Sequence, residues 1–185
     1  MTLPTVNVLD KITTIESLVE DLERCSSESE YAQLIKYIDL PIEELAPYTY
    51  WDKEEYTRNC VERTDDYELL LLCWDIGQKT PIHCHNEQEC WVYVAQGEIE
   101  EVRYKWDGIS PQPEVISEGI AVRGNLSYMN DDMGYHTLEN IGEGRAMSLH
   151  LYVKAITECT IWDDNQHDFI RKVQSYHTEK GKVLV

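Results

Sequence analysis

The hydrophobic pattern of this 185-residue chain changes period once. Up to about residue 50, apolar positions recur every three or four residues: Ile15, Leu18, Val19 and Leu22, then Tyr31, Leu34, Ile35 and Ile38. That spacing predicts two amphipathic helices whose apolar stripes serve packing. Thr13-x-x-Glu16 and Ser27-x-x-Glu30 read as capping boxes at their starts. Pro41 suits the first turn of a short third helix running to about Leu45. From Tyr56 the period shortens. YTRNCVER, YELLLLCW, ECWVYVAQ, EIEEVRYKW, GIAVRG, LSYMN, YHTLEN, AMSLHLYV and CTIWD predict strands, with Gln96-Gly97 as a turn between two of them. FIRKVQSYHTEKGKV returns as a mixed or edge strand. Short, evenly spaced strands over about a hundred residues predict a closed or sandwiched β-architecture. Chain length predicts a single domain over 1–185, with a helical cap over 1–50 and a β-barrel and C-terminal segment over 56–185.

Composition changes this picture in one respect. Hydrophobic content of 42% and charged content of 28% are ordinary for a globular protein. The formal charge is −19, from 16 Lys and Arg against 35 Asp and Glu. Such a balance argues against nucleic-acid partners, whose phosphates need clustered cations, and against anionic membrane surfaces. An anionic substrate therefore needs a specific local cation. No apolar run is long enough to span a bilayer, and the acidic N-terminus lacks the order of a signal peptide. Cys25, Cys60, Cys73, Cys84, Cys90 and Cys159 show no CxxC pairing, which reads as reduced thiols in a cytoplasmic protein. The chain is expected to act as a monomer.

The candidate chemistry centres on GQKTPIHCHNEQECWVYVAQG, Gly77 to Gly97. His83 and His85 are two residues apart in β-like sequence, so both imidazoles point the same way. Two imidazoles aimed into a barrel make half of a metal site. His136 is the third candidate, in a His-x3-Asn spacing that ends at Asn140. Nothing local supplies a carboxylate ligand, and three neutral imidazoles leave positions open for substrate and oxygen. Ser148, His150 and Tyr152 share one strand face, with Leu149 and Leu151 on the other. The pattern leaves two readings of that face: a buried polar relay, costly unless hydrogen-bonded, or a solvated surface above a leucine core. Arg58 can recognise a carboxylate bidentately, although an Arg on a strand is more often a solvated edge residue. Cys84 is expected to point away from the metal and pack as a small core residue. His167 and His177 read as surface residues of a polar tail.

The spacing Gly-x5-His-x-His-x4-Cys-x6-Gly resembles the first motif of the cupins, with Cys90 where they usually carry a metal-binding Glu. The ordered set YTRN, LCW, IHxHxxxxC, QGxxxE, GxHxxEN and SLHLY, from about Tyr56 to Cys159, resembles the cysteine dioxygenases, the Arg-type thiol dioxygenases of the cupin superfamily. The resemblance implies a mainly β fold, a small cupin-type jelly-roll barrel with an N-terminal helical cap. It implies a mononuclear Fe(2+) held by His83, His85 and His136, with no organic cofactor. Arg58, helped by Tyr56, would hold the substrate carboxylate, and Cys159 would sit near the pocket. Tyr152 would lie beside the iron with a thioether link to Cys90, and Ser148 and His150 would form a relay behind it. Two positions depart from the mammalian pattern: Cys84, and Val153-Lys154-Ala155 where those enzymes carry Ser-Pro-Pro. Most bacterial members carry Gly where Cys90 stands, so Cys90 is either linked to Tyr152 or packed as a small apolar residue. The implied reaction takes L-cysteine and O2 to cysteine sulfinate. Two alternatives stay open: oxidation of another small thiol such as 3-mercaptopropionate, and a metal- or ligand-binding cupin without turnover.

Overall fold

The computed structural model describes residues 11–184. Three short helices come first: α1 (Ile15–Leu22), α2 (Glu28–Leu34) and α3 (Ile42–Leu45). The first cap lies one residue later than the spacing predicts. Thr14, in extended conformation, accepts from the Ser17 N–H at 3.1 Å, because Ile15 must already be helical to enter the core. At α2 the predicted cap is present. Ser27 accepts from the Glu30 N–H at 3.4 Å, and the Glu30 carboxylate reaches back to the Ser26 N–H at 2.6 Å.

Among the described residues, thirteen strands follow, in two sheets. The first, in spatial order, contains β13 (Lys182–Val183), β12 (Thr178–Glu179), β1 (Thr57–Arg63), β2 (Tyr67–Trp74), β9 (Ala146–Val153), β4 (Cys90–Gln96) and β7 (Leu126–Met129). The second contains β11 (Asp168–Val173), β10 (Glu158–Asp163), β3 (His83–Cys84), β8 (Tyr135–Asn140), β5 (Glu98–Lys105) and β6 (Glu114–Val122). Together they form the mainly β, cupin-type jelly-roll barrel, capped by the N-terminal helices.

The central strands of the first sheet, β2, β9 and β4, are buried on both faces. Leu69, Leu71, Trp91, Tyr93, Leu149 and Leu151 pack outward against Ile15, Leu18, Leu22 and Tyr31 of the helices. Leu70, Leu72, Trp74, Cys90, Val92 and Tyr152 face the barrel interior. Continuous apolar runs such as YELLLLCW belong to strands covered on two sides. The second sheet has a solvent face, and β6 at its edge is almost wholly exposed. That exposure removes alternation, which is why the pattern predicts this strand only from Gly119 whereas it starts at Glu114.

Gln96-Gly97 does not close a hairpin within one sheet. It turns the chain from β4 in the first sheet to β5 in the second. Gly97 has φ +80°, and a Cβ there would lie 2.6 Å from the Ala146 Cβ. Gly97→Ala is therefore expected to cost about 2–4 kcal/mol, combining left-handed strain with overpacking. Gly77→Ala, at φ +74° with open space around it, should cost about 1 kcal/mol. Urea denaturation of both variants checks this. Equal losses would mean that the close approach to Ala146 does not constrain the corner.

Candidate active site

Two strands and the loop after one of them bring the histidines together. β3 and β8 pair with His83 directly opposite His136, and His85 follows β3 immediately. The ligand-capable atoms of His83, His85 and His136 all lie within 4.8 Å of one another. His85 Nε2 and His136 Nε2 are 3.1 Å apart, close to the ~3 Å edge expected for two ligands at ~2.1 Å from one ion. Two of the three outer nitrogens bear on orientation, and His85 Nδ1 is buried without a partner among the described residues. His136 Nδ1 donates to Glu101 at 2.8 Å, and His83 Nδ1 donates to the Pro81 carbonyl at 3.0 Å. Both contacts fix the tautomer that leaves Nε2 free as a ligand. Burial holds all three rings neutral, with His83 lowered to about 4 and His85 and His136 well below the ordinary range. Neutral, preoriented imidazoles are the form a divalent ion requires, so these residues fit a mononuclear iron.

The loop after His85 is held from outside. Asn86 and Glu87 adopt left-handed backbone, and the Asp131 carboxylate accepts from the N–H groups of His85 and Glu87, both at 2.8 Å. Glu101 is itself paired to Arg103 at 3.1 Å. The QGxxxE spacing contains Glu101 without revealing its role, and inward alternation with Ile99 was the available signal. Nothing local in the sequence marks Asp131.

Behind the histidines, the polar face of β9 points into the barrel. Ser148 and His150 are buried, as is Tyr152. The Trp74 indole N–H donates to Ser148 Oγ at 2.9 Å, and Ser148 Oγ lies 2.8 Å from His150 Nε2. Ser148 Oγ therefore accepts from the indole and makes its other contact with His150 Nε2. His150 Nδ1 is buried without a partner among the described residues. Burial lowers His150 to about 3. The buried relay is thus the arrangement present, and Trp74 is the member that residue spacing missed.

Cys90 and Tyr152 stand directly opposite each other across β4 and β9. Burial holds both well above their usual ionisation range, the neighbouring Cys90 raising Tyr152 further while the contact with Tyr152 only partly offsets the rise at Cys90, so thiol and phenol are protonated. The Tyr152 ring lies edge-on to His85, with centroids 5.5 Å apart. Glu68 is opposite Tyr152 on its other side. This buried carboxylate accepts from the Ile156 N–H at 3.2 Å and from the Tyr176 hydroxyl. These contacts anchor the Val153-Lys154-Ala155 segment, in which Lys154 takes a φ of +69°. Cys84 is buried and is not among the residues lining the cavity.

Arg58 is 8% exposed, not a solvated edge residue, and its Nε and Nη2 have no partner among the described residues. It lines a cavity of about 30 Å³ with Tyr56, the three histidines, His150, Tyr152 and Cys159. All ten residues singled out from the sequence gather there or directly behind it: Ser148 through His150, and Cys90 through Tyr152. The reading of His177 is corrected. Its ring is 16% exposed, its Nδ1 accepts from the Arg58 N–H at 3.1 Å, and its own N–H donates to the Arg58 carbonyl at 2.8 Å. The parallel pairing of β1 with β12 causes this, and a polar tail gives no hint of it. His167 is exposed as expected.

Residues 7–165 match the family model described as Cysteine dioxygenase type I. The chain belongs to that family. Cysteine dioxygenase type 1 of Bos taurus is 32% identical over 141 residues, covering 75% of this chain and 70% of the relative. The Homo sapiens protein of that name is 31% identical over the same span, and that of Danio rerio 29% over 159 residues, covering 81% and 79%. Solved structures are more distant. An uncharacterised double-stranded β-helix protein from Klebsiella pneumoniae has a TM-score of 0.49 at 17% identity, covering 71% of this chain and 95% of that one. An RmlC-like cupin from Desulfovibrio desulfuricans has 0.44 at 23%, covering 57% and 88%. Among the described residues, no helix is long and apolar enough to cross a membrane.

The neutral imidazoles carry a pH consequence. Between about 6.5 and their lowered values, His83 and His150 take up protons in the unfolded chain before the folded one. Stability therefore rises with pH in that window. It is fully present above about pH 6.5 and lost as pH falls towards 4 for His83 and 3 for His150. The urea midpoint of chelator-treated protein should decline steadily from pH 6.5 to 4.5. A level midpoint would show that these rings are not buried as neutral groups.

Proposed function

We propose that this chain is a thiol dioxygenase that converts L-cysteine and O2 to cysteine sulfinate at an iron held by His83, His85 and His136. The observation that carries the reading is Arg58: a buried guanidinium with two unpartnered nitrogens, in one small cavity with three neutral imidazoles. Family membership supports dioxygenase chemistry, and the residues support the substrate. A cavity of about 30 Å³ has room for roughly two or three water molecules, which favours a small thiol over a peptide.

When bound, the iron supplies Lewis acidity and the redox path by which both oxygen atoms reach sulfur. The protein supplies the rest. Arg58 Nε and Nη2 take the substrate carboxylate as charge-assisted donors, with Tyr56 beside them. Leu72, Leu138, Ile156 and Ile161 line the remaining wall and exclude water. Trp74 and Ser148 fix the orientation of the His150 ring, which lines the cavity. Cys159 borders the cavity with its thiol raised to about 11 by burial, so it stays protonated and does not compete as a thiolate. Sulfinate is the rung that ordinary reductants do not reverse. Six free cysteines support a reducing, cytoplasmic setting.

Iron-loaded protein with ¹⁸O2 and L-cysteine should give sulfinate carrying two labelled oxygens. No oxidised product from cysteine, cysteamine or 3-mercaptopropionate would leave a binding protein without turnover. Arg58→Gln should raise the Michaelis constant for cysteine about ten- to a hundredfold, the equivalent of roughly 1.5–3 kcal/mol for a charge-assisted pair, with a smaller effect on cysteamine. Equal losses on both thiols would make Arg58 a structural residue.

We further propose that Cys90 and Tyr152 become linked by a thioether during turnover. The thiol S–H and one phenol ring C–H are lost, a C–S bond forms, and O2 takes up the two electrons and two protons. The link would lock the phenol rotamer beside the substrate, a form of preorganisation. Intact mass after aerobic incubation with iron and cysteine should fall by two hydrogens, and not in Cys90→Ser or Tyr152→Phe. An unchanged mass after prolonged turnover would leave Tyr152 a free phenol.

A further inference from the structure

Lys172 and Gln174 line the same cavity, and neither has a part in the reaction above. β11 pairs with β10 so that Lys172 stands directly opposite Cys159. Opposed residues share a face of the sheet. Period two adds Gln174 to that face and sends Arg171 and Val173 to the other. The contacts follow suit: Gln174 Nε2 donates to Cys159 Sγ at 2.8 Å, whereas Arg171 pairs with Glu158 at 2.9 Å. Lys172 is exposed and forms no ion pair among the described residues. It stands at the rim, and Arg58 is buried within.

The distribution of charge around this cavity is the reverse of that over the whole chain. The chain has 35 acidic residues against 16 Lys and Arg. The cavity is lined by two cations, Arg58 and Lys172, and by no Asp or Glu. Three nearby carboxylates are engaged elsewhere, Glu158 with Arg171, Glu101 with His136 and Arg103, and Glu68 with Ile156 and Tyr176, and the exposed Glu55 beside Tyr56 lies 3.6 Å from His177. A positive mouth in a strongly negative molecule concentrates anions locally and repels cations.

We infer that Lys172 is a specificity-determining residue: it draws the carboxylate of a thiol to the rim, passes it inward to Arg58, and disfavours thiols whose only charge is an ammonium. This rests on the reading of the cavity as a small-thiol site. Lys172 acts on capture, so its effect belongs in kcat/KM and in salt dependence.

The test compares wild type with Lys172→Met and Lys172→Glu on L-cysteine, 3-mercaptopropionate and cysteamine. At low ionic strength, kcat/KM for the two carboxylate-bearing thiols should fall about two- to fivefold in Lys172→Met, the scale of one exposed charge, and further in Lys172→Glu. For cysteamine it should rise. These differences should fade as salt approaches 1 M, where the screening length is about 3 Å. Equal changes on all three thiols, or changes indifferent to salt, would overturn the inference. Anaerobic calorimetric titration with 3-mercaptopropionate gives a readout without turnover, and its Kd should weaken by the same factor in Lys172→Met. If wild type oxidises no thiol but this Kd still depends on Lys172, the dioxygenase reading fails and the entrance cation stands. If the thiols are oxidised while selectivity and Kd do not change, the Lys172 inference fails alone.

Discussion

The structure depends on one strand being buried on both faces. β9 lies between β2 and β4, and its alternation puts Met147, Leu149 and Leu151 under the helices and Ser148, His150 and Tyr152 inside the barrel. A hydroxyl, an imidazole and a phenol in a dry interior each cost a few kcal/mol unless they find partners. The surrounding strands supply them: Trp74 to Ser148, Ser148 to His150, and Cys90 opposite Tyr152. The helical cap thereby serves the site without touching it. It removes water from the outer face of the sheet and leaves the polar residues no alternative to the interior.

The same burial sets the chemistry. It keeps His83, His85 and His136 neutral and the Cys90 thiol and Tyr152 phenol protonated. Arg58 is a buried charge in the cavity whose Nε and Nη2 have no partner among the described residues. A buried cation without a counterion is expensive, and a bound carboxylate would offset that cost. The scaffold holds it in place: His177 bonds the Arg58 backbone through both its ring and its N–H. Several candidate site residues are held by a neighbour outside the cavity, as with Glu101 at His136 and Asp131 at the His85 loop.

The chain determined by itself whatever depends on local period and spacing. The change from helical to strand period marked the cap and the barrel. The paired His83 and His85, and His136 at its Asn spacing, marked the metal candidates, and Arg58 stood out as the cation that an anionic substrate would need. What only the tertiary structure decided depends on contacts between residues distant in sequence. The face of β9 carrying His150 was undecidable from alternation, because a period of two does not say which side is wet when both are covered. His177 looked like tail because its partner lies 119 residues away. Trp74, Glu68, Asp131 and Lys172 carried no local signature either. Each takes its role from a partner that barrel closure brings within hydrogen-bond or cross-strand reach, and no spacing along the chain records that distance.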